Sequence, residues 1–212
     1  MQKILKIDPR IKFKNAAELL DLPQVVRVTD FDEKGAATFS DEFEKAFSTG
    51  QSVIPVIVDS YGGYVHSLLS MISVIRSSPV PVATICIGKA MSCGSILLTC
   101  GTEGMRFMDP LATVMIHDVS SLHFGKTLEL KASAAETERL SDLIFDIMAK
   151  NCGQKEEYFT KHLHDKSHAE WYLTANEAKK HNIINHIRVP SFRVNVSVDI
   201  SFDDVPTRGK NG

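Results

Sequence analysis

A serine at position 92 stands between an apolar, β-branched run, Val80-Pro-Val-Ala-Thr-Ile-Cys-Ile87, and a short apolar segment from Ser95 to Gly101. The first reads as a buried strand and the second as a short buried helix. Between them, Gly88-Lys-Ala-Met-Ser92-Cys93-Gly94 puts a small hydroxyl at a sharp strand-to-helix turn. Backbone N–H groups and the helix dipole favour negative charge there, which suits acyl transfer through a tetrahedral oxyanion. Serine is also a common helix N-cap, so Ser92 alone decides nothing. Upstream, Val56-Ile-Val-Asp59-Ser60-Tyr61-Gly62-Gly63 is an apolar strand running into paired glycines, which let a backbone N–H approach a ligand. Downstream, Ala112-Thr-Val-Met-Ile-His117-Asp118 is a strand ending in a histidine, the commonest general base near neutral pH. A routine turn and a packed imidazole are the ordinary readings of these two. Their occurrence in this order around Ser92 points to a serine nucleophile with a histidine base.

The elements that must position these residues are strand–helix units. Val25 to Val28 begins a strand, and Phe39 to Phe47 reads as a helix with Ser40 as N-cap. The strand through Val58 leads to a helix carrying Val65, Leu68, Leu69, Ile72 and Ile75 on one face. Alternating strands and helices predict a mostly parallel sheet with its chemistry at strand C-terminal ends, where Asp59, Ser92 and His117 fall. With 212 residues and 43% hydrophobic content the chain can form one substantial α/β core. A net charge of −2 argues against nucleic acid or an anionic membrane as partner. No stretch is long enough to span a bilayer, and Met1 to Pro9 lacks a signal-peptide apolar region, so a cytoplasmic location is expected. Cys86, Cys93, Cys100 and Cys152 show no Cys-x-x-Cys spacing and read as buried reduced thiols.

Over roughly Val25 to Ile187 the chain resembles the caseinolytic-type (Clp) serine peptidases. The resemblance rests on Asp59-Ser-Tyr-Gly-Gly63, Gly88-Lys-Ala-Met-Ser-Cys-Gly94 and Arg106-Phe…Pro110…Val114-Met-Ile-His117. It implies Ser92 as nucleophile, His117 as its base, and the N–H groups of Gly63 and Cys93 as oxyanion hole, with no cofactor. The implied fold is built of Clp/crotonase-like repeated β-β-α units with a mostly parallel sheet and a protruding long helix. The domain plan is an N-terminal segment 1–24, a peptidase domain 25–190 and a strand-like tail 191–212. The resemblance also implies unfolded polypeptides as substrates and stacked seven-membered rings. No Gly-x-x-x-x-Gly-Lys-Ser/Thr loop occurs, so any ATP dependence comes from a partner unfoldase of the AAA+ kind. Tyr61 stands where the family usually has proline, which points to a divergent branch, a virus-encoded one being compatible. The acid that orients His117 is assigned to Asp165, one residue from the backward alignment, with Glu170 and Asp118 as alternatives.

A periodic stripe from Lys126 to Asn151, including Leu128, Ala132, Leu140, Ile144 and Met148, predicts a helix of some 25 residues stopped by Gly153. In the family this is the handle that interdigitates with a second ring. Thr174-Ala-Asn-Glu177 is a capping box, and Val194, Val196, Val198, Ile200 and Phe202 alternate as a strand would. His162, His164 and His168 cluster, but without a third well-spaced ligand they read as a solvated helix end rather than a metal site. Three functions stay open: a serine peptidase, a crotonase-type acyl-CoA enzyme, and a noncatalytic ring subunit. The crotonase reading gives Ser92 and His117 no joint role. In the peptidase reading Cys93 contributes only its backbone, so Cys93→Ala should be mild.

Overall fold

The computed structural model describes residues 23–120, 124–165 and 170–192. The β-branched runs form the expected parallel strands. β1 (Val26–Val28), β2 (Ile54–Ser60) and β3 (Val82–Met91) lie side by side, with Val56 opposite Val26 on one side and Thr84 on the other. The ten-residue β3 serves two partners. Its first half pairs with β4 (Arg106–Met108) and its second half with β5 (Thr113–Ile116). β6 (Trp171–Leu173) joins β5 as the antiparallel pair, and β7 (His186–Ile187) joins β4. The result is a seven-stranded, mostly parallel sheet in a mixed α/β fold, as the sequence predicts.

Helices α1 (Glu33–Ser48), α2 (Val65–Arg76) and α3 (Cys93–Thr99) follow β1, β2 and β3. α3 is buried throughout, so its tight turn from β3 is locked by packing on every side. Alternation along β3 sends Ala83 and Ile85, with Phe107, to a small cluster separate from the main core of helix and strand side chains. The start of α1 corrects the sequence reading. Asp32 is the N-cap, its carboxylate accepting from the Gly35 N–H at 2.6 Å, and Ser40 lies inside the helix donating to the Ala36 carbonyl. Burial of Phe39, Phe43 and Ala46 favours the longer helix over a cap at Ser40.

α4 (Thr127–Asn151) has the predicted length but divides in two. Leu140, Ile144, Phe145, Ile147 and Met148 are buried, whereas Leu128 in the first turn is 80% exposed. The amino-terminal half is therefore largely exposed, with Ser133 and Thr137 half-buried where they line a cleft. Gly153 ends the helix at φ 65°, with Gln154 N–H on the Ala149 carbonyl and Gly153 N–H on that of Lys150, a Schellman closure. Arg106 fixes this end to the sheet. It is fully buried, and its guanidinium donates to Asn151 O at 2.7 Å, Glu103 Oε2 at 2.9 Å and Asn185 Oδ1 at 3.1 Å. α5 (Tyr158–Asp165) packs against α4, and α6 (Ala175–Lys180) opens on the expected capping box, Glu177 accepting from the Thr174 N–H at 2.8 Å. No described helix is long and apolar enough to cross a membrane. The alternating tail from Val194 to Phe202 lies outside the described residues.

Candidate active site

Ser92 occupies the turn between β3 and α3 at φ 52°, ψ −122°. A non-glycine residue held at positive φ stores about 1–3 kcal/mol, and the surroundings must enforce it. Here the Ser92 N–H donates to Met115 O at 2.8 Å, while Ser95 donates to the Ser92 carbonyl through both N–H and hydroxyl, at 2.9 and 2.7 Å. Ser92 sits at the N-cap position, yet its side chain makes no capping hydrogen bond. The ordinary explanation for a serine at a helix start therefore fails here. Ser92 instead lines a cleft of ≈ 540 Å³ shared with Gly63, Cys93, His66 and His117.

The paired glycines turn tightly against this serine. Gly62 has φ 107°, and a Cβ there would lie 2.6 Å from Ser92 Cβ and 3.1 Å from Ser92 Oγ. Gly63 has φ 150°, and a Cβ there would lie 2.5 Å from the Phe31 carbonyl. Only glycine fits either position. The Gly62 N–H is committed to Ser60 Oγ at 3.0 Å and the Tyr64 N–H to Phe31 O at 2.6 Å. The Gly63 N–H between them has no acceptor among the described residues. Cys93 opens α3, so its N–H is one of the orphaned first-turn donors. Gly63 and Cys93 both line the cleft with Ser92.

The two glycine-bearing motifs are also tied to each other. Lys89 donates to Asp59 Oδ1 at 2.8 Å and lies 4.4 Å from the centre of the Tyr61 ring. Gly88 makes room for that carboxylate, since a Cβ would meet Asp59 Oδ1 at 2.8 Å. These roles of Asp59, Tyr61, Gly88 and Lys89 escape a sequence reading, because nothing local announces a contact across thirty residues.

His117 follows β5 directly, is half-buried, and lines the cleft with Ser92. No hydrogen bond joins it to Ser92 or to any of the three candidate acids. Asp165 closes α5 and lines a second depression with Lys155, Lys161 and His162. Asp118 Oδ2 accepts from His164 Nε2 at 3.2 Å, and Glu170 accepts from the Tyr172 hydroxyl at 2.8 Å. The β5–β6 pairing sets Val114 against Leu173, Met115 against Tyr172 and Ile116 against Trp171. The pairing ends there; His117 and Glu170 are the residues that directly follow and precede it. Directly opposed residues on one sheet face have Cβ atoms about 4.5–5.5 Å apart.

The rest of the cleft is mostly apolar. Ile96, Ile116, Val119, Leu140 and Ile144 supply its walls, and Glu136 reaches it from α4. Arg139 holds the Glu136 carboxyl below the usual range through two hydrogen bonds of 2.7 Å. No group of three or more metal-ligating side chains occurs among the described residues. His162 hydrogen-bonds the Tyr158 carbonyl at 2.9 Å and stacks on Trp171, while His168 lies outside the described residues.

A family model described as Clp protease matches residues 17–190. The chain belongs to the Clp protease family. The strand-to-helix serine, the glycine pair and the histidine after β5 all fall inside the matched span. The mostly parallel α/β sheet is likewise consistent with a Clp-type fold. Membership supports a serine peptidase of the Clp type.

Proposed function

We propose that this Clp-family chain is a proteolytic subunit that hydrolyses peptide bonds through an acyl-enzyme on Ser92. His117 takes the Ser92 proton as Oγ attacks the substrate carbonyl. The negative charge that develops on the carbonyl oxygen is accepted by the N–H groups of Gly63 and Cys93. Collapse expels the amine with the proton from His117, and water, deprotonated by the same imidazole, releases the acid. The observation that carries the reading is Ser92 itself: strained at positive φ, not capping its helix, and lining a cleft with His117, Gly63 and Cys93. Such strain persists where function requires the side chain to be aimed.

For the group that orients His117, the strand register favours Glu170 over Asp165. A carboxylate across from the imidazole can accept its second N–H and stabilise the imidazolium, once the Tyr172 hydroxyl shares or yields it. The apolar walls of the cleft suit a large side chain next to the scissile bond. The exposed start of α4, with Leu128 and the neighbouring Phe124 open to solvent, supports assembly into stacked seven-membered rings that enclose the sites. An ATP-driven unfoldase feeding unfolded polypeptide, in a cytoplasm, completes the proposal. Peptide hydrolysis by Ser92→Ala tests the chemistry: loss of about 10³-fold or more with folding intact supports it. Near-parental turnover would leave a noncatalytic ring subunit as the better account.

A further inference from the structure

The Cys93 side chain makes a contact of its own. Its thiol is buried, 2% exposed, and Sγ donates to the Gly63 carbonyl oxygen at 3.2 Å. Gly63 and Cys93 both line the cleft beside Ser92. A pair of glycines at φ 107° and 150° has little conformational preference of its own, so contacts must decide where its amides point. Three contacts do so. Ser60 Oγ takes the Gly62 N–H, Phe31 O takes the Tyr64 N–H, and Cys93 Sγ holds the Gly63 carbonyl. The first two come from the glycine segment's own strand and from the β1–α1 connection. Among the described residues, the thiol alone ties the loop to the helix that carries the nucleophile.

We propose that the Cys93 side chain is a positioning residue: its S–H latch on the Gly63 carbonyl fixes the spacing of the two oxyanion donors, one of which is Cys93's own N–H. This rests on the serine-peptidase reading above and adds to it a role for a side chain beside the nucleophile. Burial pushes the Cys93 thiol up to about 11, so at neutral pH it keeps its proton and acts as a donor, not as a competing nucleophile. A thiol is a weak donor, so its contribution lies in geometry. A displacement of about 1 Å at such a site can cost 10²-fold in rate.

The test compares Cys93→Ala with Cys93→Ser in the full chain, using a fluorogenic peptide and the matching peptide aldehyde, whose hemiacetal with Ser92 puts an oxygen between the two amides. Cys93→Ala is expected to lower kcat by roughly 10- to 100-fold with KM within about twofold, and to weaken the aldehyde by the same factor. Cys93→Ser restores the donor and should recover both to within about threefold. A Cys93→Ala protein with parental kcat and aldehyde affinity overturns the latch. Equal losses in Ala and Ser overturn it too, since packing and not donation would then be at work. If Cys93→Ala melts too low to assay, Cys93→Val serves as the donor-free variant, and if Cys93→Ser does, Cys93→Thr serves as the donor-bearing one, with the same outcomes deciding. Ser92→Ala run alongside separates the two claims: its loss of turnover with parental Cys93→Ala leaves the peptidase standing and removes only the latch.

Discussion

Gly62→Ala probes the contact on which the site's geometry depends. The added methyl would lie 2.6 Å from Ser92 Cβ, 3.0 Å from the Met91 carbonyl and 3.1 Å from Ser92 Oγ. Carbon atoms in van der Waals contact sit about 3.5–4.0 Å apart, so the loop or Ser92 must move by roughly 1 Å. Ser92 is held by three backbone-directed hydrogen bonds, and the glycine loop by Ser60, Phe31 and Cys93, so neither yields freely. The backbone at φ 107° adds about 1–3 kcal/mol of strain. Gly104→Ala is the matched control: φ is 81°, and nothing lies within 4 Å of its Cβ. It carries backbone strain alone. Both variants should melt lower, by about 2–4 °C for each kcal/mol lost. Only Gly62→Ala should lose activity, by about 10²-fold in kcat/KM, since the displaced atoms include the nucleophile. Differential scanning calorimetry with peptide kinetics reads both. A Gly62→Ala enzyme with parental kcat/KM and the thermal shift of Gly104→Ala would refute the close approach of the glycine loop to Ser92.

Glu170→Gln should lower kcat by orders of magnitude with assembly intact, whereas Asp165→Asn should stay close to the parent; the reverse pattern in peptide kinetics would return the acid to Asp165. Burial pushes the thiols of Cys86 and Cys152 up to about 12, from 9.0. The folded chain therefore keeps protons that the unfolded chain releases, so stability is full below pH 9 and falls as pH rises towards 12. At pH 10 this amounts to about 1.4 kcal/mol per thiol, and a denaturation free energy that is flat from pH 8.5 to 10.5 would contradict it. Light scattering should find a particle of many subunits, and an active monomer under all conditions would remove the ring.

The strand-to-helix turn at Ser92 was legible because both flanking elements declare themselves: a β-branched run ending in Ile87, and an apolar heptamer closed by Gly101. Gly153 and the Thr174–Glu177 box marked their helix ends for equally local reasons. The start of α1 was not legible, because Ser40 before Asp41 and Glu42 imitates a cap. The burial of Phe39 and Phe43, which overrides it, is a tertiary fact. The acid was not fixed by counting along the chain, because the count from the long helix to Trp171 crosses a stretch with no fixed spacing. Strand pairing instead counts across the sheet, and the proposal of Glu170 extends the Ile116–Trp171 register by one residue. The thiol of Cys93 was equally invisible: its partner, the Gly63 carbonyl, is thirty residues away and has no side chain to signal it.

The central claim is that Ser92 is the nucleophile. A fluorophosphonate probe, followed by mass spectrometry of the labelled peptide, reads that atom directly in the parent, in Ser92→Ala and in His117→Ala. The account predicts a phosphonyl adduct on Ser92 in the parent, none in Ser92→Ala, and labelling slowed by about 10³-fold or more in His117→Ala. Peptide hydrolysis should fall in the same order. A parent that cleaves peptides while carrying the adduct on any other residue, or a Ser92→Ala protein that still does both, would contradict it.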